Sequence, residues 1–294
     1  MIEKIAAGII IYNPNIDKLN NMTEALAKKV DKIYLVDNAS KNREEIDRFY
    51  DKAKSDNNLF LIRNKKNKGV AAALNQYMGE AQKEGYEWVL CFDQDSVPPD
   101  GIADEFIKFI NKKNAGIIAP RIKDARTGRF IYSEGEDKSK EADEYQYIDK
   151  CITSGSLVNV EVWAKVGKYD EYLFIDYVDF DFCIRIKKKG YEIIQANRIV
   201  MEHELGNMKI RRFLFKKVAV MNHNAMRKYY MTRNRIYCNF KYNNRFGFRN
   251  FVGMIKMIIL IIFFEEEKRK KIRAVIKGAY DGVRDAKKMR RIYE

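Results

Sequence analysis

The sequence predicts an α/β fold: a mostly parallel sheet covered by helices, followed by a basic helical C-terminal appendage. Short apolar runs alternate with segments of helical spacing through the first 120 residues, the order that gives parallel strands joined by crossover helices. Three of those runs end on polar residues, Asn13 with Pro14, Asp37 with Asn38, and Asp93 with Asp95. In such sheets ligands gather beyond the C-terminal strand ends. The net charge of +15 is local: residues 1–208 carry 32 Lys and Arg against 35 Asp and Glu, whereas residues 209–294 carry 24 against 6.

In chain order, Ile5–Tyr12 is an apolar run stopped by Asn-Pro and reads as a buried strand. Asp17–Val30 has helical spacing at Leu19, Met22, Leu26 and Val30, and Lys32–Val36 is a second strand. Arg43–Ser55 is helical, Leu59–Arg63 is a third strand, and Val70–Glu84 is an Ala-rich helix opened by Gly69. Trp88–Phe92 is a fourth strand, Asp100–Lys112 a helix and Ala115–Ala119 a fifth strand. Residues 121–150 lack periodicity and are expected to be loop with short strands. The expected domain division is 1–240 for the α/β body and 241–294 for the appendage.

Several classes are excluded early. No G-x-G-x-x-G follows the first strand and no P-loop signature occurs, so the common dinucleotide and nucleoside-triphosphate readings fall away. The four cysteines have no metal-ligand spacing, and Cys91 and Cys183, in apolar runs, are expected to be buried, reduced thiols, which suits a reducing compartment. No secretory signal is expected, and no run reaches the length of a spanning helix; Phe251–Phe264, interrupted by Lys256, comes nearest.

The segment Phe92-Asp93-Gln94-Asp95-Ser96 carries the clearest chemistry. Two carboxylates spaced i, i+2 at the end of a buried strand offer hard oxygen ligands for Mg²⁺ or Mn²⁺, which such sites share with substrate phosphates. Alone, the same residues are equally an acidic turn. This segment resembles the D-x-D motif of GT-A glycosyltransferases, and an ordered set of further segments resembles the inverting glycosyltransferase family 2. They are Ile9–Pro14, Val36–Ser40, Asn67–Asn75, Thr153–Ser156, Gly167–Arg185, His203–Gly206 and Tyr229–Asn234. The resemblance covers roughly residues 5–240 and implies a GT-A, Rossmann-like fold. The D-x-D segment with Phe174–Asp179 looks most like bacterial rhamnosyltransferases that use dTDP-L-rhamnose. UDP-hexose and UDP-galactofuranose transferases share much of the pattern. No Q-x-x-R-W motif of processive synthases is present, which favours addition of one sugar.

The resemblance implies a role for each matching residue. Asp37 reads the nucleotide base, and its carboxylate can accept from the N3–H of uracil or thymine. Tyr12, Asn13, Pro14, Asn38, Asn67, Gly69, Gln94 and Arg233 join it on the donor side. Asp95 and Asp93, with His203, are the expected ligands of Mn²⁺ or Mg²⁺, which would neutralise the diphosphate leaving group. Asp179 is the expected base, on the sugar face opposite the diphosphate. Val178 stands where the family commonly has a second acid, and Asp176 and Asp181 are rivals for the role. Ser154 and Gly155, with Asp176 and Asp181, form the acceptor side.

The C-terminal third reads differently. After Phe251–Phe264 and three glutamates, Ile272, Val275 or Ile276, Ala279, Val283 and Ala286 recur at helical spacing among basic residues. This pattern fits a helix lying on an anionic membrane surface; the competing reading packs the apolar run against the sheet domain or a second subunit, with possible homo-oligomers. The expected partners are a nucleotide-sugar donor, a glycan or lipid-linked acceptor and an anionic membrane, at the cytoplasmic face. A sugar-nucleotide pyrophosphorylase would carry a Gly-rich, Arg-containing loop where Tyr12–Asn15 stands. A nucleic-acid binder would spread base-stacking aromatics through its basic surface, whereas here the tail is interleaved with aliphatics, so no nucleic-acid partner is expected.

Overall fold

The computed structural model describes residues 4–56, 58–131, 133, 135–203, 209–213, 216–243 and 247–293. The chain separates into two compact units, Met1–Phe174 with Val178–Glu204, and Ile175–Tyr177 with Leu205–Glu294.

The first unit alternates strand and helix from its start. β1 (Ile5–Ile11), α1 (Ile16–Ala27), β2 (Lys32–Asp37), α2 (Arg43–Ala53), β3 (Leu59–Arg63), α3 (Val70–Lys83) and β4 (Trp88–Asp93) follow the predicted order. Asn15 opens α1 by accepting the Lys18 N–H on its side chain (2.9 Å), a cap worth about 1 kcal/mol. α4 (Ile102–Ile107) is shorter than the predicted helix, and β5 (Ala115–Asp124) is twice the predicted strand. β6 (Phe130–Ile131), β7 (Tyr145–Ile148), β8 (Ser156–Asn159), α5 (Val160–Lys165), α6 (Val178–Lys188) and β9 (Glu192–His203) complete the unit.

The sheet runs β3-β2-β1-β4-β8-β5-β9-β7, with β6 beside β5. β1 is parallel to both β2 and β4, with Ile11 opposite Asp37 and Ile10 opposite Asp93. That register brings the three polar strand ends to one edge. The fifth predicted strand does not join the fourth: β8 lies between them, antiparallel to both. The core is continuous from Ile9, Leu35 and Phe92 to Leu157, Ile118 and Ile194, all buried. Each such side chain contributes about 1.5–3 kcal/mol on leaving water.

In the second unit a hairpin of β10 (Lys209–Phe213) and β11 (Lys216–Val220) precedes α7 (Ala225–Asn243), α8 (Phe248–Phe264) and α9 (Lys268–Tyr293). α9 packs along α7. The crossing is close because of Gly278 and Gly282: a Cβ at the first would stand 2.5 Å from the Tyr229 carbonyl oxygen, and at the second 2.8 Å from that of Arg233. Glu265 lies buried between two buried lysines, accepting from Lys228 (2.7 Å) and Lys271 (3.0 Å). Breaking one side of such a buried pair costs several kcal/mol.

This packing engages part of the predicted α9 stripe. Val275 and Ala286 are buried, and α9 packs along α7 within the unit. A 3.6-residue apolar period demands a partner without saying whether that partner is lipid or another helix. Ile276 and Tyr280 of α9 stay exposed, and a broader exposed apolar surface lies on α8, where Phe248, Phe251, Val252, Ile255, Ile262 and Phe263 face solvent.

Candidate active site

The ends of β1 and β2 form the first part of the site. Asp37, the last residue of β2, is 1% exposed. Its Oδ1 accepts the Ser40 N–H at 2.8 Å, while Oδ2 is buried with no hydrogen-bond partner. Buried carboxylate oxygens are seldom left without a partner. Ser40 in turn accepts the Asn13 N–H (2.8 Å), and Asn13 Oδ1 accepts that of Lys41 (2.7 Å). Asn13 has φ +51°, a conformation that Asn tolerates better than most residues.

Asn38 is buried and fully engaged. Its amide donates to Asn67 Oδ1 (3.0 Å) and to the Gly69 carbonyl (3.1 Å), and its Oδ1 accepts the Lys68 N–H (2.9 Å). Asn67 Oδ1 also accepts the Gly69 N–H (2.9 Å). Asn38 and Asn67 therefore shape the loop that leads into α3. Gly69 is required there, since its φ is +87° and a Cβ would meet the Phe174 ring and carbonyl at 2.6 Å.

The β4 end is tied to both neighbours. Gln94 accepts the Tyr12 N–H at 2.7 Å and donates to the Tyr12 carbonyl at 3.2 Å. It acts as a backbone clamp between two strand ends and leaves the Tyr12 ring largely exposed. On the other side, Ser154 Oγ accepts the Asp93 N–H (3.1 Å) and shares a hydrogen bond with Ser96 (2.7 Å). Gly155 donates to the Cys91 carbonyl (2.7 Å) with φ +79°. The Thr153–Ser156 segment thus supports the Asp93–Ser96 turn.

Asp95, Ser96, Glu202 and His203 line one cavity of about 380 Å³. His203 reaches it because it ends β9, opposite Asp124 of β5. Glu204–Gly206 of the His203 motif lie outside the described residues. Among the described residues no three His, Cys, Asp or Glu side chains gather closely enough to hold a metal ion by themselves. Asp95 and His203 share that cavity and Asp93 does not line it; Mg²⁺ and Mn²⁺ are commonly held by one or two carboxylates, with the remaining positions left to substrate phosphate oxygens.

The three candidate bases have distinct surroundings. Asp179 is half-buried in the first turn of α6, its Oδ1 accepting the Phe180 N–H (2.9 Å). Asp181 is buried and paired with Arg185 Nε (2.8 Å), whose guanidinium also donates to the Val166 carbonyl (2.7 Å). That engagement makes Asp181 an internal anchor of α6. Asp176 belongs to the second unit, where Arg227 donates to its Oδ1 (3.2 Å). Burial raises its carboxyl above the usual range, with Arg227 opposing the shift. Asn234 donates to the Ile175 and Asp176 carbonyls, at 2.8 Å each. Arg233 is buried in α7, donating to Asn234 (2.9 Å) with its guanidinium over the Tyr230 ring.

Sequence reasoning missed Ser96, Arg227 and the clamping role of Gln94. Only Ser96 had a local signal, as the residue closing the D-x-D turn. Cys91 and Cys183 are buried thiols as expected, and burial pushes the Cys91 thiol up to about 12.

A sheet with acidic strand ends at one edge, a buried strand-end carboxylate and a D-x-D turn beside it are the marks of a nucleotide-sugar transferase of GT-A type. The chain matches the description Glycosyl transferase family 2 over residues 7–164, and it belongs to that family. It is 30% identical over 246 residues to the dTDP-rhamnosyl transferase RfbF of Shigella flexneri, covering 80% of this chain and 79% of that protein. Among solved structures, GalNAc-T7 with UDP, GalNAc and Mn²⁺ superimposes with a TM-score of 0.58 at 14% identity. That match covers 88% of this chain and 57% of the other, so the chain spans little more than half of it. The mannosyltransferase PcManGT of Pyrobaculum calidifontis, in complex with GDP-Man and Mn²⁺, gives 0.55 at 13% identity, covering 95% and 73%. These likenesses bear out the GT-A fold, and the family makes the chain a glycosyltransferase.

Proposed function

We propose that the enzyme transfers L-rhamnose from dTDP-L-rhamnose, with inversion, to a hydroxyl of a growing cell-surface glycan or lipid-linked acceptor. The observation that carries this reading is the open, buried Oδ2 of Asp37, placed to accept the N3–H of thymine. The likeness to a dTDP-rhamnosyl transferase supports the choice of sugar. Tyr12, Asn13, Pro14, Asn67 and Gly69 surround the nucleotide in this reading. Asp179 takes the acceptor hydroxyl proton as that oxygen bonds to the sugar anomeric carbon. The bond to the diphosphate breaks, and dTDP leaves from the opposite face. When bound by Asp93, Asp95 and His203, Mn²⁺ or Mg²⁺ supplies positive charge to the departing diphosphate.

A donor screen with Mn²⁺ or Mg²⁺ tests this. Among dTDP-rhamnose, UDP-galactofuranose, UDP-glucose and UDP-galactose, dTDP-rhamnose is expected to bind and turn over best. A clear preference for a UDP-hexose overturns the donor and leaves the family intact.

The same reading places the enzyme on the cytoplasmic face of the cell membrane. Among the described residues no helix is long and apolar enough to cross a membrane. Support comes from the exposed apolar face of α8, with Phe248 81% and Phe263 60% exposed, in a region of strong positive charge. Apolar insertion and basic attraction act together at anionic surfaces. In flotation assays the enzyme is expected to rise with vesicles containing phosphatidylglycerol and not with phosphatidylcholine alone. Combined Ile255→Glu and Phe263→Glu should abolish flotation; unchanged flotation excludes α8 as the contact.

A further inference from the structure

We propose that Asn75 is a positioning residue that sets the location of Asp179, an inference that rests on reading Asp179 as the base. Asn75 lies on α3, and its amide uses its full bonding capacity. Oδ1 accepts the Tyr169 N–H (2.9 Å) and the Trp163 indole N–H (3.1 Å), while Nδ2 donates to the Tyr169 carbonyl (2.9 Å) and to Glu171 Oε1 (3.0 Å). The side chain thus clasps Tyr169 through both backbone groups, as a neighbouring strand would.

Tyr169 carries that grip to the base. Its buried ring packs on Phe182 with centroids 4.2 Å apart, and Phe182 lies on α6 one turn beyond Asp179. The far end of the same segment is held by α3 as well: Val70, the first residue of the helix, donates its N–H to the Phe174 carbonyl at 2.5 Å. Between that point and Asp179 the backbone passes through Phe174, Asp176 and Tyr177, each with φ between +63° and +68°. Side chains rarely adopt this conformation, and it persists only where the surroundings over-determine it. α3 supplies that restraint at Phe174, through Val70, and at Tyr169, through Asn75, while Asn234 and Arg227 hold Asp176. The Asn67–Gly69 loop, which Asn38 shapes, opens the same helix. One rigid element therefore links the donor-side loop to the segment that delivers the base.

An amide is needed at this position. Asn75→Asp keeps the shape but replaces the donating NH₂ by an oxygen facing the Tyr169 carbonyl and the Glu171 carboxylate. Misplacing a reacting group by about 1 Å costs on the order of 100-fold. In the full-length enzyme Asn75→Asp is expected to lower kcat by about 10–100-fold, with the donor Kd from calorimetry within about twofold of wild type. In an Asp179→Asn background the same substitution should cost nothing further, because a residue acting through Asp179 has nothing left to position. If Asn75→Asp does not fold, Tyr169→Leu carries the test. It keeps the backbone bonds to Asn75, removes the ring from Phe182, and should give the same kcat loss, unchanged Kd and non-additivity.

A normal kcat in these variants alongside an inactive Asp179→Asn overturns the positioning role alone. So does an equal loss in both backgrounds, which would place Asn75 in the fold generally. Near-normal turnover by Asp179→Asn overturns the base assignment and the positioning role with it.

Discussion

Asp179→Asn is expected to lower sugar transfer by roughly 10²–10⁴-fold, the usual worth of a positioned general base, while donor binding stays near wild type. The amide keeps the shape of the carboxylate and the hydrogen bond from the Phe180 N–H, so little else changes. Proton acceptance from the acceptor hydroxyl is lost. Asp181 cannot substitute, because its carboxylate is buried and bound to Arg185. Single-turnover transfer and donor calorimetry together check this. Near-normal transfer would show that another group takes the proton.

Asp37→Asn should separate binding from stability in the opposite way. Loss of a charge-assisted hydrogen bond to the base amounts to about 1.5–3 kcal/mol, or roughly 10–150-fold in donor Kd. The free chain should not lose stability. The substitution removes a buried carboxylate with one open oxygen, an arrangement that burdens the fold until ligand arrives. The expected outcome is a weaker Kd with an equal or higher melting temperature. A lower melting temperature with unchanged Kd would make Asp37 a turn residue only.

Much of the first unit was legible because its signals are local. Apolar runs that end on Asn13, Asp37 and Asp93 mark strands and the edge at which they finish, and the parallel register of β1 with β2 and β4 brings those ends together. β8 was not legible. Four residues, Ser156–Asn159, gain their identity from pairing with β4 and β5, and no local pattern encodes a partner so distant in sequence. The same holds for Arg227, whose tie to Asp176 exists only in the folded chain. On α9 the pattern was visible and its meaning was not, although Gly278 and Gly282, four residues apart, were a sign of close helix contact. The dual engagement of Gln94 was hidden for another reason: a motif shows which residues stand beside the carboxylates, and backbone clamping depends on two strand ends meeting.

The insertion of β8 also governs the order in which the molecule can be made. β4 is among the most apolar strands, and its free side stays bare until Ser156 reaches Cys91. Pairings of such long sequence separation form slowly, and an unpaired apolar edge invites association with other chains. During synthesis the parallel strands have their own helices to cover them well before β8 emerges. The Asp93–Ser96 turn acquires its support from Ser154 only at that late step. Fragments ending before residue 156 should therefore aggregate, and catalytic competence should follow collapse of the nucleotide-binding half.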